Sequence, residues 1–338
     1  MDQDNTEFRA FEVSENTVGG CPVYVGRMVQ RRVRDLPPGD VLVKVVWSSL
    51  NYKDALSAHG NKGVTRSFPH TPGIDAAGSV AYSTSPAFNV GDQVVVTGHE
   101  LGMSIAGGFA QYIRVPAQWV VGLPEGLSLK ESMVYGTAGL TAALCVEKLL
   151  RNGLTPGQGE VLVTGATGGV GTVAVALLSQ LGFTVAACTG KPELADFLLG
   201  LGAHSIVPRA ELAEPNPRAL LKERWAAAVD VAGGELLWNI LRSLRYGGSV
   251  ASCGLVNSPA FGATVFPFIL RNVNLLGVDS ANTAKEERAE IWRKLASEWR
   301  IPQLSTISKT ITFNQLSDHL NVMAQGGASG RRVLDVNA

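Results

Sequence analysis

The chain has 338 residues, enough for two modest domains that each bury a core. Charged residues make up 17% and there are 38 glycines, which suits a compact α/β enzyme rich in tight turns and argues against a disordered or fibrous chain. The 29 basic and 29 acidic side chains cancel, so no overall charge draws the protein to nucleic acid or to an anionic membrane.

In chain order, Met1 to Arg9 is polar and acidic, with no basic stretch leading into an apolar run as a signal peptide would require. No apolar run approaches the ~18 residues of a membrane span, so a soluble, cytoplasmic protein is expected. The first part is β-rich. After the turn Pro37-Pro38-Gly39-Asp40, Val41, Val43, Val45 and Trp47 alternate with Leu42, Lys44, Val46 and Ser48. Gly91-Asp92 leads into Val94-Val95-Val96, and further β-prone runs lie at Gly78 to Tyr82 and Tyr112 to Val121. Together they read as a twisted, partly closed antiparallel barrel.

From about residue 137 strands and helices alternate. Strands are expected at Glu160 to Thr164, Phe183 to Cys188, Ser205 to Val207, Ala227 to Val231, Gly248 to Cys253 and Val273 to Val278. Val170, Val173, Ala174, Leu177, Leu178 and Leu181 follow helical spacing, a helix opens with Pro192, and another runs through Leu236 to Leu244. Six short strands with interleaved helices imply a doubly wound parallel sheet of the Rossmann type. Thr283-Ala284-Lys285-Glu286 is a capping box for a helix with Ile291, Trp292, Leu295 and Trp299 on its apolar side. The β-prone tail segments Ser308 to Phe313 and Arg332 to Val336 are expected to rejoin the N-terminal barrel. The domains are therefore 1–136 with 280–338, and 137–279.

Val161-Leu162-Val163-Thr164-Gly165-Ala166-Thr167-Gly168-Gly169-Val170-Gly171 is strand, turn and helix start in one run. Such a turn sets backbone N–H groups and a helix N-terminus against a pyrophosphate. Gly168 lets the backbone approach the phosphates and Gly171 lets the helix pack on the strand. Against G-x-G-x-x-G the first glycine is replaced by Ala166. An isolated run of this kind also fits an ordinary βα turn; the surrounding βα units favour a dinucleotide. At the end of the second strand an NAD site carries a carboxylate, whereas this chain has Cys188-Thr189-Gly190-Lys191 and no acid before Glu193. A hydroxyl and a cation suit the 2′-phosphate of NADP, and Arg209 adds a second cation. Either charge alone would read as a solvated surface group; together they favour NADPH.

The chain resembles the medium-chain dehydrogenase/reductase superfamily, most closely its zinc-free quinone-oxidoreductase-like branch, which includes the bacterial acryloyl-CoA reductases. The resemblance rests on Ser48 to Ala55, Pro72-Gly73-Ile74-Asp75, Gly136 to Ala142, Thr164 to Gly171, Tyr246-Gly247-Gly248, Pro267 to Val273 and Gly277 to Ser280. It implies a GroES-like β-barrel catalytic domain, a Rossmann NADP-binding domain and a cleft between them. It also implies cofactor contacts at Tyr52, Thr167, Gly168, Gly169, Val170, Thr189, Gly190, Lys191, Arg209, Leu255, Ile269 and Ser280. The partners it implies are a small-molecule substrate and a second copy in a homodimer.

Gly98-His99-Glu100 looks like the zinc-binding Gly-His-Glu of the superfamily's alcohol dehydrogenases, but it follows a later strand, and the matching position reads Pro72-Gly73-Ile74-Asp75. A catalytic zinc needs three protein ligands and an open position. The chain has no cysteine between Cys21 and Cys145, and its four cysteines, with Cys188 and Cys253, form no C-x-x-C pair. No metal is expected, and the remaining histidines read as structural or surface residues. Without a Lewis acid, reduction of an activated double bond is easier than alcohol oxidation, because it needs orientation, hydrogen-bond donors and a proton source.

Tyr52 is the candidate cofactor positioner and proton donor, with Asn51 and Asp54 organising the site. In a plainer reading, Asp54 caps a helix and Tyr52 packs. Where the acryloyl-CoA reductases usually carry tryptophans flanking the loop His99 to Phe109, this chain has His99 and Ala106. The expected activity is NADPH-dependent reduction of a short enoyl thioester or enal. The alternatives are a quinone reductase and an NADPH-binding protein with little catalysis.

Overall fold

The computed structural model describes residues 3–338; Met1 and Asp2, part of the polar N-terminal stretch, lie outside the described residues. The chain opens with a hairpin, β1 (Glu7–Val18) and β2 (Cys21–Arg32), paired along all twelve positions. Its loop is Gly19-Gly20, both with left-handed φ (+59° and +82°), the two-residue turn whose twist matches a hairpin. This hairpin is not legible from hydrophobic alternation, because β2 is largely exposed, Val23 and Val25 included. Phe8, Ala10, Phe11 and Val13 of β1 are buried in the core, and Tyr24 and Val29 of β2 pack against it.

Next come β3 (Val41–Ser49), helix α1 (Tyr52–Ala58), β4 (Asp75–Ser83), β5 (Gln93–Thr97), β6 (Tyr112–Val115) and β7 (Val120–Gly122). The single strand expected over Tyr112 to Val121 is two strands. Pro116, which lacks a donor, begins a 3₁₀ turn over Ala117–Trp119. Helix α2 (Leu129–Arg151) is broken at Gly136, whose φ of +52° and ψ of −158° are not helical. By length and composition α2 could cross a bilayer, but 83% of its apolar window is buried in protein, as in a core helix.

The middle of the chain supplies β8 (Glu160–Val163), α3 (Gly169–Gln180), β9 (Thr184–Thr189), β10 (Ser205–Pro208), β11 (Trp225–Asp230), β12 (Leu244–Ser252) and β13 (Asn274–Gly277). These strands form one six-stranded sheet in the order β10-β9-β8-β11-β12-β13, every pair parallel. The order reverses at β8, and in such sheets ligands bind outside the carboxyl ends of the strands at that point. Val161, Leu162 and Val163 are wholly buried, as strands covered on both faces must be.

The C-terminal part contains a helix at Lys285–Ala296, β14 (Ser308–Ile311), a helix at Phe313–Ala324 and β15 (Arg331–Asp335). β15 returns antiparallel to β3, pairing Val333 with Ser49 and Leu334 with Ser48. β14 lies parallel to β15, so the seven-stranded sheet β14-β15-β3-β4-β5-β7, with β6 on β3, is mixed rather than wholly antiparallel. Thr312 and Gln315 form the capping box of the Phe313–Ala324 helix, another element the sequence reading lacked.

The residues group into two compact units. One comprises Met1–Thr137, Ala281–Ala296 and Gln303–Ala338, and the other Ala138–Ser280 and Ser297–Pro302. The first has a core of inward-facing strand residues, including Val43, Val45, Val94 and Ile113, closed by Leu316 and Leu334. In the second, Leu162, Ala186, Ala228 and Val250 pack against Ile240 and Leu241 of the helix Gly234–Ser243.

Candidate functional site

In the parallel-sheet unit, β8 runs into a turn built for close approach. Gly165 has φ +54°, and a Cβ there would lie 2.5 Å from a methyl of Val231. A Cβ on Gly171 would lie 2.3 Å from the carbonyl oxygen of Gly165, so helix α3 can start this close to the strand only with glycine. Ala166, the departure from the glycine pattern, is buried, and its N–H donates to the Cys188 carbonyl at 3.1 Å. Gly168 is the N-cap of α3 and no side chain caps it. The first turn of α3, Gly169 and Val170, thus presents main-chain donors and a partial positive charge, with Thr167 buried beside it. Such an arrangement can hold an anion such as a pyrophosphate.

At the end of β9, the Thr189 hydroxyl accepts the Lys191 N–H at 3.0 Å. β10 pairs with β9 so that Pro208 lies opposite Thr189, which carries Arg209 over Gly190. A Cβ on Gly190 would lie 3.1 Å from the guanidinium carbon of Arg209. Burial lowers the Lys191 pKa, with Glu193 opposing. The fold thus gathers Thr189, Gly190, Lys191 and Arg209 at the carboxyl ends of neighbouring strands, one strand along from the turn. Leu255 and Ile269 are both exposed. Leu255 lies beyond the end of β12 and Ile269 on the helix Phe266–Arg271. Ser280 accepts the Thr141 hydroxyl at 2.6 Å. Asp230, which the sequence reading overlooked, is wholly buried at the carboxyl end of β11. A carboxylate closing the apolar run Trp225–Asp230 was the available signal.

In the barrel unit, β3 delivers Asn51 to the N-cap of α1. The Asp54 side chain accepts the Asn51 N–H at 2.7 Å and the N–H groups of Gly73 and Ile74 at 3.1 and 2.9 Å. Asp54 therefore does cap the helix, and it also pins the Pro72–Asp75 turn. The Asn51 side chain is committed too. Its amide donates to Asp75 at 2.7 Å and its oxygen accepts from Arg331 at 3.2 Å. Asp75 further accepts the hydroxyls of Ser49 and Thr137, each at 2.6 Å, and the Thr137 N–H at 3.0 Å. Arg331 also donates to Ser49 and to the carbonyls of Leu50 and Val134.

Asp75 and Arg331 are fully buried, 3.7 Å apart. Gly136 completes this cluster, because a Cβ there would lie 2.4 Å from Asp75 and 2.6 Å from Arg331. Burial first, then the neighbouring charge of Asp75, pushes the Asp54 pKa up to about 7 against its three N–H donors. Of the three residues expected to carry chemistry, only Tyr52 is exposed, at 39%. Asp75 lies in the motif Pro72-Gly73-Ile74-Asp75, whereas no sequence motif marks Arg331.

The His99 loop is held differently. His99 has φ +54°, donates its main-chain N–H to Ala281, and stacks flat on Trp119 with ring centroids 5.0 Å apart. Burial, then the Arg288 charge, pushes its pKa down to about 4, so the ring is neutral at physiological pH. Glu100 accepts the Ser104 hydroxyl. Gly107 donates to the Thr71 carbonyl at 2.7 Å, and a Cβ on Gly108 would collide with the Asp75 carbonyl. Among the described residues, no three His, Cys, Asp or Glu side chains converge as a metal-ligand set.

Residues 37–125 match the alcohol dehydrogenase GroES-like domain family, and residues 169–297 match the family described as zinc-binding dehydrogenase. The acrylyl-CoA reductase AcuI of Ruegeria pomeroyi is 46% identical over 309 residues, covering 91% of this chain and 94% of that protein. YhfP of Bacillus subtilis, which carries a provisional name as a quinone oxidoreductase, is 46% identical over 331 residues, 98% of this chain and 99% of its own. Its structure with NAD bound superimposes with a TM-score of 0.94 at 42% identity, covering 98% of this chain and all of that one. The YhdH oxidoreductase of Salmonella enterica, in complex with NADP, gives a TM-score of 0.91 at 42% identity over 97% of this chain and 99% of that one. The chain belongs to the medium-chain dehydrogenase/reductase superfamily, in the quinone-oxidoreductase-like branch that includes the acrylyl-CoA reductases.

Proposed function

We propose that the protein is an NADPH-dependent reductase of activated carbon–carbon double bonds, acting on acrylyl-CoA or a related short enoyl thioester or enal. The observation that carries this reading is the uncapped N-terminus of α3 beside the Thr189, Lys191 and Arg209 cluster, which suits a dinucleotide bearing a 2′-phosphate. Its relatives YhdH, an oxidoreductase whose structure holds NADP, and AcuI, named an acrylyl-CoA reductase, support the same reading. NADPH, when bound, supplies a hydride for the β-carbon of the alkene.

The chain's own residues supply the rest. Gly168 to Val170 hold the pyrophosphate, Thr189 to Lys191 and Arg209 hold the ribose phosphate, and Leu255, Ile269 and Ser280 complete the cofactor site. Tyr52 holds a proton on its hydroxyl for the α-carbon and regains one from solvent, to which its side chain is open. Asn51 and Asp54 act from beneath it, because their polar atoms are spent on Asp75, Arg331 and main-chain donors. No metal is assigned a role, since His99 and Glu100 are engaged with Trp119 and Ser104 and no cysteine joins them. We further propose a cytoplasmic homodimer.

A quinone reductase is the second reading, supported by the provisional name of YhfP. NADPH absorbance followed in parallel with acrylyl-CoA, a simple enal and a naphthoquinone separates the two. Turnover of the thioester or enal is the expected result. Turnover of the quinone alone would replace the alkene reading. Tight NADPH binding with no turnover of any of the three would mark a binding protein, and activity lost to a chelator and restored by zinc would overturn the metal-free mechanism.

A further inference from the structure

Asp230 is wholly buried, and no step above uses it. A carboxylate so placed persists only when its oxygens are satisfied. Its Oδ1 accepts the Thr164 hydroxyl at 2.7 Å and the Ala232 N–H at 3.2 Å, and its Oδ2 accepts the Gly233 N–H at 2.9 Å. Its main-chain oxygen accepts the Cys253 N–H at 2.9 Å. Thr164 answers in kind, because its hydroxyl accepts the Val231 N–H at 3.0 Å and its own N–H donates to the Val229 carbonyl at 3.0 Å. This side-chain pair therefore locks the carboxyl ends of β8 and β11 together at the point where the strand order reverses, and the main chain of Asp230 ties in the residue that follows β12.

The residue after Thr164 is Gly165, with φ +54° and the Val231 methyl where its Cβ would be. Its carbonyl accepts the Gly168 N–H at 2.8 Å and lies against Gly171. The turn is thus fixed from beneath at its first residue, and its amide donors are aimed as a consequence.

We infer that Asp230 and Thr164 are positioning residues for the dinucleotide-binding turn, setting the direction of the Gly169 and Val170 amides without touching the cofactor. The inference rests on the dinucleotide reading above. It has a signature that a merely structural role lacks. The pyrophosphate is common to NADPH and NADH, so loosening the turn weakens both by the same factor, whereas Lys191 and Arg209 face only the 2′-phosphate.

The test is direct titration of the purified full chain with NADPH and with NADH, read by the fluorescence of the bound nicotinamide, alongside thermal melting. Thr164→Val removes the hydroxyl at nearly constant shape, Asp230→Asn keeps the side chain's outline, and Thr164→Ser restores the hydroxyl. The expected result is a dissociation constant raised about tenfold for both dinucleotides in Thr164→Val and Asp230→Asn, the loss of one hydrogen bond to a charged group, with recovery in Thr164→Ser. Folded variants that bind both dinucleotides like the wild type, or that lose only NADPH, overturn the inference. A wild-type chain that binds neither overturns the dinucleotide reading and this inference with it.

Discussion

Arg331 donates to the side-chain oxygen of Asn51 at 3.2 Å across 280 residues of sequence. The contact exists because β15 returns to pair with β3, bringing the tail to the residues just before α1. With Asp75 taking the Asn51 amide, neither end of that side chain is left for a substrate. Asn51 is a strut for the segment that carries Tyr52.

The pair Asp75–Arg331 holds this strut, and its removal has a definite cost. Breaking a buried ion pair by deleting one partner costs about 3–5 kcal/mol, because the other charge stays buried. Arg331→Met leaves Asp75 in that state and is expected to lower the urea midpoint by a corresponding amount with an unchanged slope. Asp75→Asn together with Arg331→Met removes both charges and is expected to recover part of the loss. A single variant within about 0.5 kcal/mol of wild type would show that the pair is replaceable.

Asp54 makes stability depend on pH in a stated direction. Its folded pKa of about 7 lies above the usual carboxyl value, so between those values the native state holds a proton that the unfolded chain has released. This group's contribution is therefore fully present below about pH 4 and lost as the pH rises to about 7, with a slope of at most about 1.4 kcal/mol per pH unit. Asp54→Asn cannot titrate. Denaturant unfolding of both proteins from pH 4 to 8 should give a difference that shifts in the variant's favour as the pH rises and levels off near 7. A difference flat across that range would mean that Asp54 is ionised throughout.

The same clusters explain what the sequence made legible. The parallel sheet was readable because wholly buried strands such as Val161–Val163 announce themselves by composition, and the turn after them by its glycines. The hairpin β1–β2 was not, because most of β2 faces solvent and carries no alternation; only Gly19-Gly20 marked it. The phosphate turn and the cation pair are local in sequence, one within a dozen residues and the other within about twenty. Arg331 and Asp230 act through partners 280 and 66 residues away, and no spacing rule reaches that far. Asp54 was legible as a possible cap, but its raised pKa depends on burial beside Asp75, which only the fold supplies.

The cations that follow β9 and β10, Lys191 and Arg209, make a sharp prediction about cofactor choice, all the more since the relatives YhfP and YhdH have been seen with NAD and NADP respectively. Lys191→Ala and Arg209→Ala are each expected to weaken NADPH binding by about 1–2 kcal/mol, roughly five- to thirtyfold, as the loss of a charge-assisted contact to phosphate. NADH binding should stay within twofold of wild type. Dissociation constants for both dinucleotides, measured at fixed ionic strength, decide the matter, since phosphate contacts are screened by salt. Equal weakening of both would move these residues away from the 2′-phosphate.

Of Asn51, Tyr52 and Asp54 only Tyr52 is exposed, and we propose that the proton step belongs to it. Tyr52→Phe keeps the ring and removes only the hydroxyl. If that hydroxyl delivers the proton, kcat for the preferred alkene falls about 10²- to 10⁴-fold, the usual worth of a positioned acid, while NADPH affinity is little changed. A solvent isotope effect present in the wild type should change in the variant, because the proton then comes from water. The struts beneath behave differently. Loss of the Asn51 amide displaces the whole segment, so Asn51→Ala should lower kcat and thermal stability together, whereas Tyr52→Phe should lower kcat alone. A Tyr52→Phe enzyme with wild-type kcat would make solvent the proton donor and leave Tyr52 a packing residue at the start of α1.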